Sequence, residues 1–301
     1  MNTELIPTNE TYGRILDCTD PDQRRQIYLK TLVEPWQGMM SMMTRPPGDP
    51  NQPVDELAGA RMWNWLLPDQ IDEVARLLEI LETADAWTVA RSALAQAAAR
   101  FSRFAGQIPF DTITGWLVLG DPQRSNRFEH GYTGATDWFA PRIIGQIWDP
   151  TPGVLRRLPG LVAHEMHHLI RLRAFPWGPH TSLADYIVIE GTAESFATAL
   201  FGEKVLGFYV SEVEPAQIET ARHLIGPALD QTGFDVIRAY VFGDALAEQA
   251  HFRPVGGMPT YGGYAVGYHV VQAFLKRTGK SIEEATFLPA QEIVRQSGFF
   301  E

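Results

Sequence analysis

Apolar residues recur at helical spacing over most of this chain, and the exceptions are short and central. Residues 23–43 alternate charged and apolar side chains at near-helical spacing, and residues 70–81 align Ile71, Val74, Leu77, Leu78 and Leu81 on one face, so both segments are predicted as amphipathic helices. Residues 85–104, rich in alanine and leucine with Arg91, Arg100 and Arg103 spaced through them, predict a third and longer packing helix. Near Phe110 the pattern changes. Residues 112–120 carry Ile113, Trp116, Leu117, Val118 and Leu119 before an Asp121-Pro122 turn, which predicts a strand. Residues 142–148, with Ile143, Ile144, Ile147 and Trp148, predict a second, and the glycine-bearing stretch 129–136 before them is read as a loop. After Pro152 the helical pattern returns, over 154–173, 183–200, 213–225 and 263–278.

The expected fold is therefore α+β and predominantly helical, with a small sheet. An N-terminal helical region, 1–110, precedes a second domain, 111–301, and a polar loop containing Pro46, Pro47, Gly48 and Pro50 punctuates the first. The chain has 301 residues, 45% of them hydrophobic, which is ample for a core without covalent staples. Its one cysteine, Cys18, excludes an intramolecular disulfide and any cysteine-rich zinc site. A formal charge of -11 disfavours nucleic acid and anionic membranes as partners. No basic cluster leads into an apolar run at the N-terminus, and the apolar windows are interrupted well before the roughly 18 residues that span a bilayer. A soluble, cytoplasmic protein is the expectation.

The chemistry concentrates at His164-Glu165-Met166-His167-His168, an H-E-x-x-H pattern on a segment predicted to be helical. Residues four apart share a helix face, so His164 and His168 can direct ring nitrogens at one ion. Zinc held by three protein ligands keeps a position for water, lowers its pKa toward about 7, and needs a nearby carboxylate to take the proton, the role Glu165 would fill. The flanking Leu161, Val162, Leu169 and Ile170 place the histidines facing inward, where unpaired polar groups are costly. His167, about 60° around the helix from His164, reads as a rim or packing residue.

The next predicted helix offers a third ligand. Glu190 follows the apolar run Ile187-Val188-Ile189, and a carboxylate entering a helix there is expected to be paired or metal-bound. Glu194, one turn on, could accept the distal N–H of a ligand histidine. The two glutamates could also exchange roles, and Asp185 is a weaker substitute.

His164-Glu165-x-x-His168 followed by Glu190-Gly-x-Ala-Glu194 resembles the gluzincin metallopeptidases, and from about residue 112 onward the chain is similar to the YjaZ-like zinc-dependent proteases. The late stretch Tyr261-Gly-Gly-Tyr264-Ala-Val-Gly267-Tyr268 resembles that family's glycine and tyrosine pattern before its last long helix. The interval from His168 to Glu190 is longer than in the best-known gluzincins, which bears on the third ligand. The resemblance implies a zincin-like core, with the sheet packed on the H-E-x-x-H helix, and zinc-dependent hydrolysis of a peptide or protein substrate.

Peptide hydrolysis at zinc builds an oxyanion that a phenol can stabilise. Tyr264 and Tyr268, one turn apart, are candidates if Gly262, Gly263 and Gly267 let their helix approach the site closely; His180, His251 and His269 are alternatives. Segment 142–148 is the candidate edge strand for an extended substrate. Arg171 and Arg173 either meet substrate carboxylates or cap the end of their helix. Two other classes share these residues: a non-catalytic peptide-binding module with a structural metal, its fourth position closed by Asp185 or His180, and a metal hydrolase acting on non-peptide substrates.

Overall fold

The computed structural model describes residues 1–44, 55–124 and 130–301, so the predicted loop at 46–50 lies outside the described residues. The chain divides into two compact units, Met1–Ala98 with Phe110–Glu165, and Ala99–Pro109 with Met166–Glu301. This differs from the expected division at 110/111. The N-terminal strand belongs to the sheet of the first unit, and residues 99–109 belong to the second.

The first unit contains β1 (Asn2–Leu5), α1 (Thr8–Asp17), α2 (Pro21–Tyr28), α3 (Gln37–Thr44), α4 (Ala58–Met62), α5 (Ile71–Thr83), most of α6 (Ala86–Arg100), β2 (Thr112–Leu119), β3 (Tyr132–Thr136), β4 (Arg142–Ile147) and the start of α7 (Pro152–Ala174). Its sheet has the order β1-β2-β4-β3. β1 and β4 run parallel to β2, with Asn2 opposite Thr112 and Trp116 opposite Ile144, while β3 runs antiparallel to β4 with Gly134 opposite Gly145. Two sequence expectations are corrected here. β4 is an interior strand rather than the edge, and the loop expected at 129–136 contains the edge strand β3. The near-continuous apolar run of β4 suits a strand covered on both faces.

The predicted helix over 23–43 is broken into α2, a π turn at Leu29–Val33, a 3-10 turn at Glu34–Trp36, and α3. Pro35 explains the break. It has no N–H to offer the carbonyl four residues back, at Thr31, and that carbonyl instead accepts the indole N–H of Trp116 on β2 at 3.2 Å. The Pro35 carbonyl is taken by Arg142 at the start of β4. Trp36 then packs edge-on against Trp116 and Trp63, with ring centroids 5.5 and 5.9 Å away. The break in the helix thus fastens it to the sheet. α1 is tied to the end of β2 by Tyr12, whose hydroxyl accepts from the Leu119 N–H at 3.0 Å.

The start of α7 lies against the sheet within this unit. The Leu161 side chain approaches to 3.4 Å of where a Cβ on Gly145 would stand. Thr151 caps the helix, its hydroxyl accepting the Val154 N–H at 3.2 Å.

The second unit holds the rest of α7, then α8 (Leu183–Phe201), α9 (Phe208–Ser211), α10 (Pro215–Ile225), α11 (Phe234–Phe242), α12 (Asp244–Gln249), α13 (Gly262–Thr278), α14 (Ile282–Ala285) and α15 (Ala290–Ser297). α8 is its centre, with every residue from 186 to 198 buried. A Ser182/Asp185 capping box starts α8, which engages the carboxylate that the sequence offers as a substitute ligand: Asp185 accepts from the Ser182 N–H at 2.9 Å and its hydroxyl at 2.7 Å. α13 crosses α8 at backbone contact. A Cβ on Gly191 would stand 2.1 Å from the Gly267 carbonyl oxygen, and one on Gly267 would stand 2.1 Å from that of Ile187. The chain therefore needs glycine on both sides of this crossing. No helix among the described residues is long and apolar enough to cross a membrane.

The crossing gives a direct test. Gly191→Ala or Gly267→Ala should cost about 3 kcal/mol, at the upper end of overpacking penalties, and lower the melting temperature visibly. Gly13→Ala, on a helix with nothing within 4 Å of the new methyl, should be neutral or stabilising by up to about 1 kcal/mol. Equal melting temperatures for all three variants would contradict the packing described.

Candidate metal centre

α7 is one continuous helix through both histidines of the motif, so the i, i+4 geometry expected from the sequence is realised. His168 Nε2 stands 3.4 Å from Glu190 Oε2 on α8. The ligand-bearing atoms of His164, His168 and Glu190 all lie within 4.8 Å of one another, and all three residues are buried, at 5%, 8% and 8% exposure. These three could hold a metal ion.

The donor set fits zinc. Two ligands about 2.0–2.1 Å from a tetrahedral ion are roughly 3.3–3.4 Å apart, which matches the His168–Glu190 separation and is long for a direct hydrogen bond. Two imidazoles and one carboxylate also leave a tetrahedral position open, as hydrolytic zinc sites do and structural ones do not.

Glu165 is 7% exposed and is positioned from β3. The Thr136 hydroxyl lies 2.8 Å from the Glu165 carbonyl oxygen and 3.1 Å from its Oε2. Strand and helix come so close here that a Cβ on Gly134 would stand 2.4 Å from Glu165 Oε1. Gly134 and Thr136 were missed from sequence because their stretch read as a loop. A Gly-x-Thr alternation beside a long helix was the available signal.

Glu194, 3% exposed, accepts the Gly207 N–H at 2.5 Å on Oε1 and the Tyr209 hydroxyl at 2.7 Å on Oε2. It is thereby fixed as an acceptor one turn beyond Glu190. The two candidate tyrosines separate. Tyr264 packs against Tyr209, Phe242 and Tyr261, and burial together with the charge of Glu190 pushes its hydroxyl well above the usual tyrosine range. Burial raises the Tyr268 hydroxyl also, which lies by Thr198 and feels Glu194 and Glu203 rather than Glu190. Tyr186, four residues before Glu190 on α8, was not singled out from sequence, yet it too is raised by burial and by Glu190.

The remaining candidates have other work. His167 is fully buried rather than at a rim, its Nε2 is 2.9 Å from the Thr286 hydroxyl, and its ring lies against Phe101 and Phe196. Because Thr286 donates its own hydroxyl to the Ile282 carbonyl, His167 donates to Thr286. Arg171 is 1% exposed and caps α14, donating to the carbonyls of Ala285, Thr286 and Leu288 at 3.3, 2.9 and 3.2 Å. Neither expectation for it, substrate contact or the end of its own helix, describes this. Burial brings its guanidinium down to about 10. His180 and His251 are exposed, and His269 lies parallel to Phe299 with its pKa lowered by burial.

Residues 86–295 match a family described as predicted Zn-dependent protease (DUF2268). The whole chain is similar to the uncharacterized protein YjfC of Bacillus subtilis (strain 168), with 32% identity over 304 residues, covering 100% of this chain and 99% of that protein. No solved structure matches. The family match opens earlier than the 112 expected from the motifs, and the relative extends through the N-terminal third, for which the motifs gave no resemblance.

Purified protein is expected to take up one zinc per chain. His164→Ala and His168→Ala should abolish that stoichiometry at micromolar zinc, and Glu194→Gln should weaken it about 10- to 100-fold, as for groups that orient ligands. At zinc 1,000-fold above its Kd the folded state gains about 4 kcal/mol, so chelation should lower the melting temperature of the wild type and leave His164→Ala unmoved. A chelator effect of equal size in both would contradict the site.

Proposed function

The chain belongs to the predicted Zn-dependent protease family, and from that premise we propose that it is a gluzincin-type metallopeptidase with a zincin-like core. His164, His168 and Glu190 hold the ion, Glu165 is the general base, Glu194 orients a ligand histidine, and Tyr264 donates to the oxyanion. The observation that carries this reading is the convergence of two imidazoles and a buried carboxylate within 4.8 Å, with a further carboxylate next in sequence to one ligand and held by β3.

Zinc, when bound, supplies Lewis acidity, polarising a peptide carbonyl and making water a stronger acid. The chain supplies the rest. Glu165 accepts the proton of the attacking water and later delivers it to the leaving amine. Its position is set from both sides. The Thr136 hydroxyl engages Oε2, and the missing side chain at Gly134 leaves room for Oε1. The raised Tyr264 hydroxyl keeps its proton at neutral pH, which is what an oxyanion donor requires. Tyr268, engaged with Thr198 and farther along α13, is the weaker candidate for that role. β3 ends the sheet beside Glu165, with no second strand paired to it among the described residues, so it replaces segment 142–148 as the strand on which substrate would be laid.

Three variants test the roles separately on a mixed peptide library at matched zinc content. Glu165→Gln and Gly134→Ala should each keep the metal and lose cleavage by about 100-fold or more, the first by removing the base and the second by displacing it. Tyr264→Phe should lower kcat by about 100-fold, as loss of one oxyanion donor does, whereas Tyr268→Phe should change it by only a few-fold. Zinc uptake without cleavage by the wild type would overturn the hydrolase reading, and full activity in Glu165→Gln would overturn the assignment of the base.

A further inference from the structure

Arg238 sits in the middle of α11, with Phe234 one turn before it and Phe242 one turn after. Its guanidinium carbon is 4.8 Å from the centroid of the Phe234 ring, 4.7 Å from that of Phe242 and 6.0 Å from that of Phe252. Among the described residues it has no ion-pair or hydrogen-bond partner, and its Nε is shut away from solvent without one. That nitrogen has lost hydration, which the ring faces replace only in part. The fully buried Arg171 in this same unit also has a partnerless Nε, but its terminal nitrogen donates to three backbone carbonyls, which Arg238 lacks. Arg238 has its guanidinium held against aromatic rings while its donors have no acceptor among the described residues.

Its position gives that arrangement a meaning. Phe242, on which the guanidinium lies, is 5.5 Å from the Tyr264 ring and 6.5 Å from the Tyr186 ring. Tyr186 stands one turn before Glu190 on α8, and both tyrosines sense the charge of Arg238 and that of Glu190. Rings continue outward from there. Phe234 is 6.3 Å from Trp177 and 6.4 Å from Phe252, and Phe234 and Val236 are about half exposed, at 47% and 45%. An apolar rim therefore leads from solvent to a guanidinium that only the Phe242 ring separates from Tyr264 and Tyr186, the latter one turn from Glu190. Guanidinium presents paired, coplanar N–H donors whose natural complement is a carboxylate.

We propose that Arg238 anchors a carboxylate of the substrate, so that this protein prefers peptides carrying a free carboxylate near the scissile bond. The carboxylate is either the peptide's own C-terminus or the side chain of an aspartate or glutamate. The inference rests on the hydrolase reading above. It also runs against the general field of the molecule, whose net charge of -11 repels acidic peptides. A preference for them therefore needs a local cation, within the ~8–10 Å over which charge acts in physiological salt.

The test uses four peptide libraries of the same random core: free acid or amidated at the C-terminus, and with acidic positions occupied by Asp and Glu or by Asn and Gln. Cleavage ratios are read on the zinc-loaded wild type, Arg238→Met, which keeps the length of the stem against the rings, and Arg238→Lys. Binding of the same libraries is read on Glu165→Gln with and without Arg238→Met. The wild type should favour one carboxylate-bearing library by about tenfold or more in kcat/KM, a typical margin for a paired charge-assisted contact. Arg238→Met should bring that ratio near one, and Arg238→Lys should retain part of it. Which pair of libraries shows the ratio identifies the source of the carboxylate. An equal ratio in wild type and Arg238→Met, or no ratio in the wild type, overturns the proposal. If no library is cleaved, the hydrolase reading fails on its own, and the binding ratio on Glu165→Gln still decides the role of Arg238: a tenfold ratio that Arg238→Met abolishes supports it, and no ratio overturns it.

Discussion

A helix stretch buried on every side cannot carry a carboxylate to no purpose, and the buried stretch of α8 carries two, Glu190 and Glu194. Burying an ionised group without partners costs several kcal/mol, so Glu190 and Glu194 dictate what surrounds them. Glu194 is met by a backbone N–H and a phenol from the segment that follows α8. Glu190 is met by His168 at a distance better suited to sharing an ion than to a hydrogen bond. The glycines at 191 and 267 belong to the same constraint, because they let α13 close over α8 at backbone contact and complete its burial. Sealing the helix and assembling the donor set are one event in the fold.

β3 applies a second constraint, from the sheet side. Its glycine and threonine fit around Glu165 at distances that no other residue at 134 would allow. The strand therefore sets the position of Glu165, the proposed base, and ends the sheet next to it among the described residues, which ties the fold of the first unit to the chemistry proposed for its last residue.

Much of this was legible in the sequence, for local reasons. The spacing of His164 and His168 needs only a helix to bring the rings together, and the apolar runs around 164–168 and before Glu190 announce burial. α7, α8 and α13 fall close to their predicted bounds for the same reason. What escaped depended on contacts between distant residues. β3 has two glycines in or beside it and low strand propensity, and it is a strand because β4 pairs with it. β1 was hidden because four residues cannot show a period, and its partner lies more than a hundred residues away. The continuous apolar run of β4 was in fact a sign of an interior strand, and reading it as an edge set that sign aside. Tyr264 and Tyr268 share a helix face in the sequence, and only the fold places one by Glu190 and the other by Thr198. Arg238 left a trace that went unread: an arginine with phenylalanines four residues before and four after it on one helix.

The central claim is that one zinc ion sits among His164, His168 and Glu190. Anomalous diffraction at the zinc edge from crystals of the zinc-loaded protein addresses it without reference to any activity. The account predicts a single strong peak within about 2.0–2.2 Å of an imidazole nitrogen of each histidine and a carboxylate oxygen of Glu190, with Glu194 outside that distance. A peak coordinated by Glu194 in place of Glu190, or none at these histidines, would contradict it.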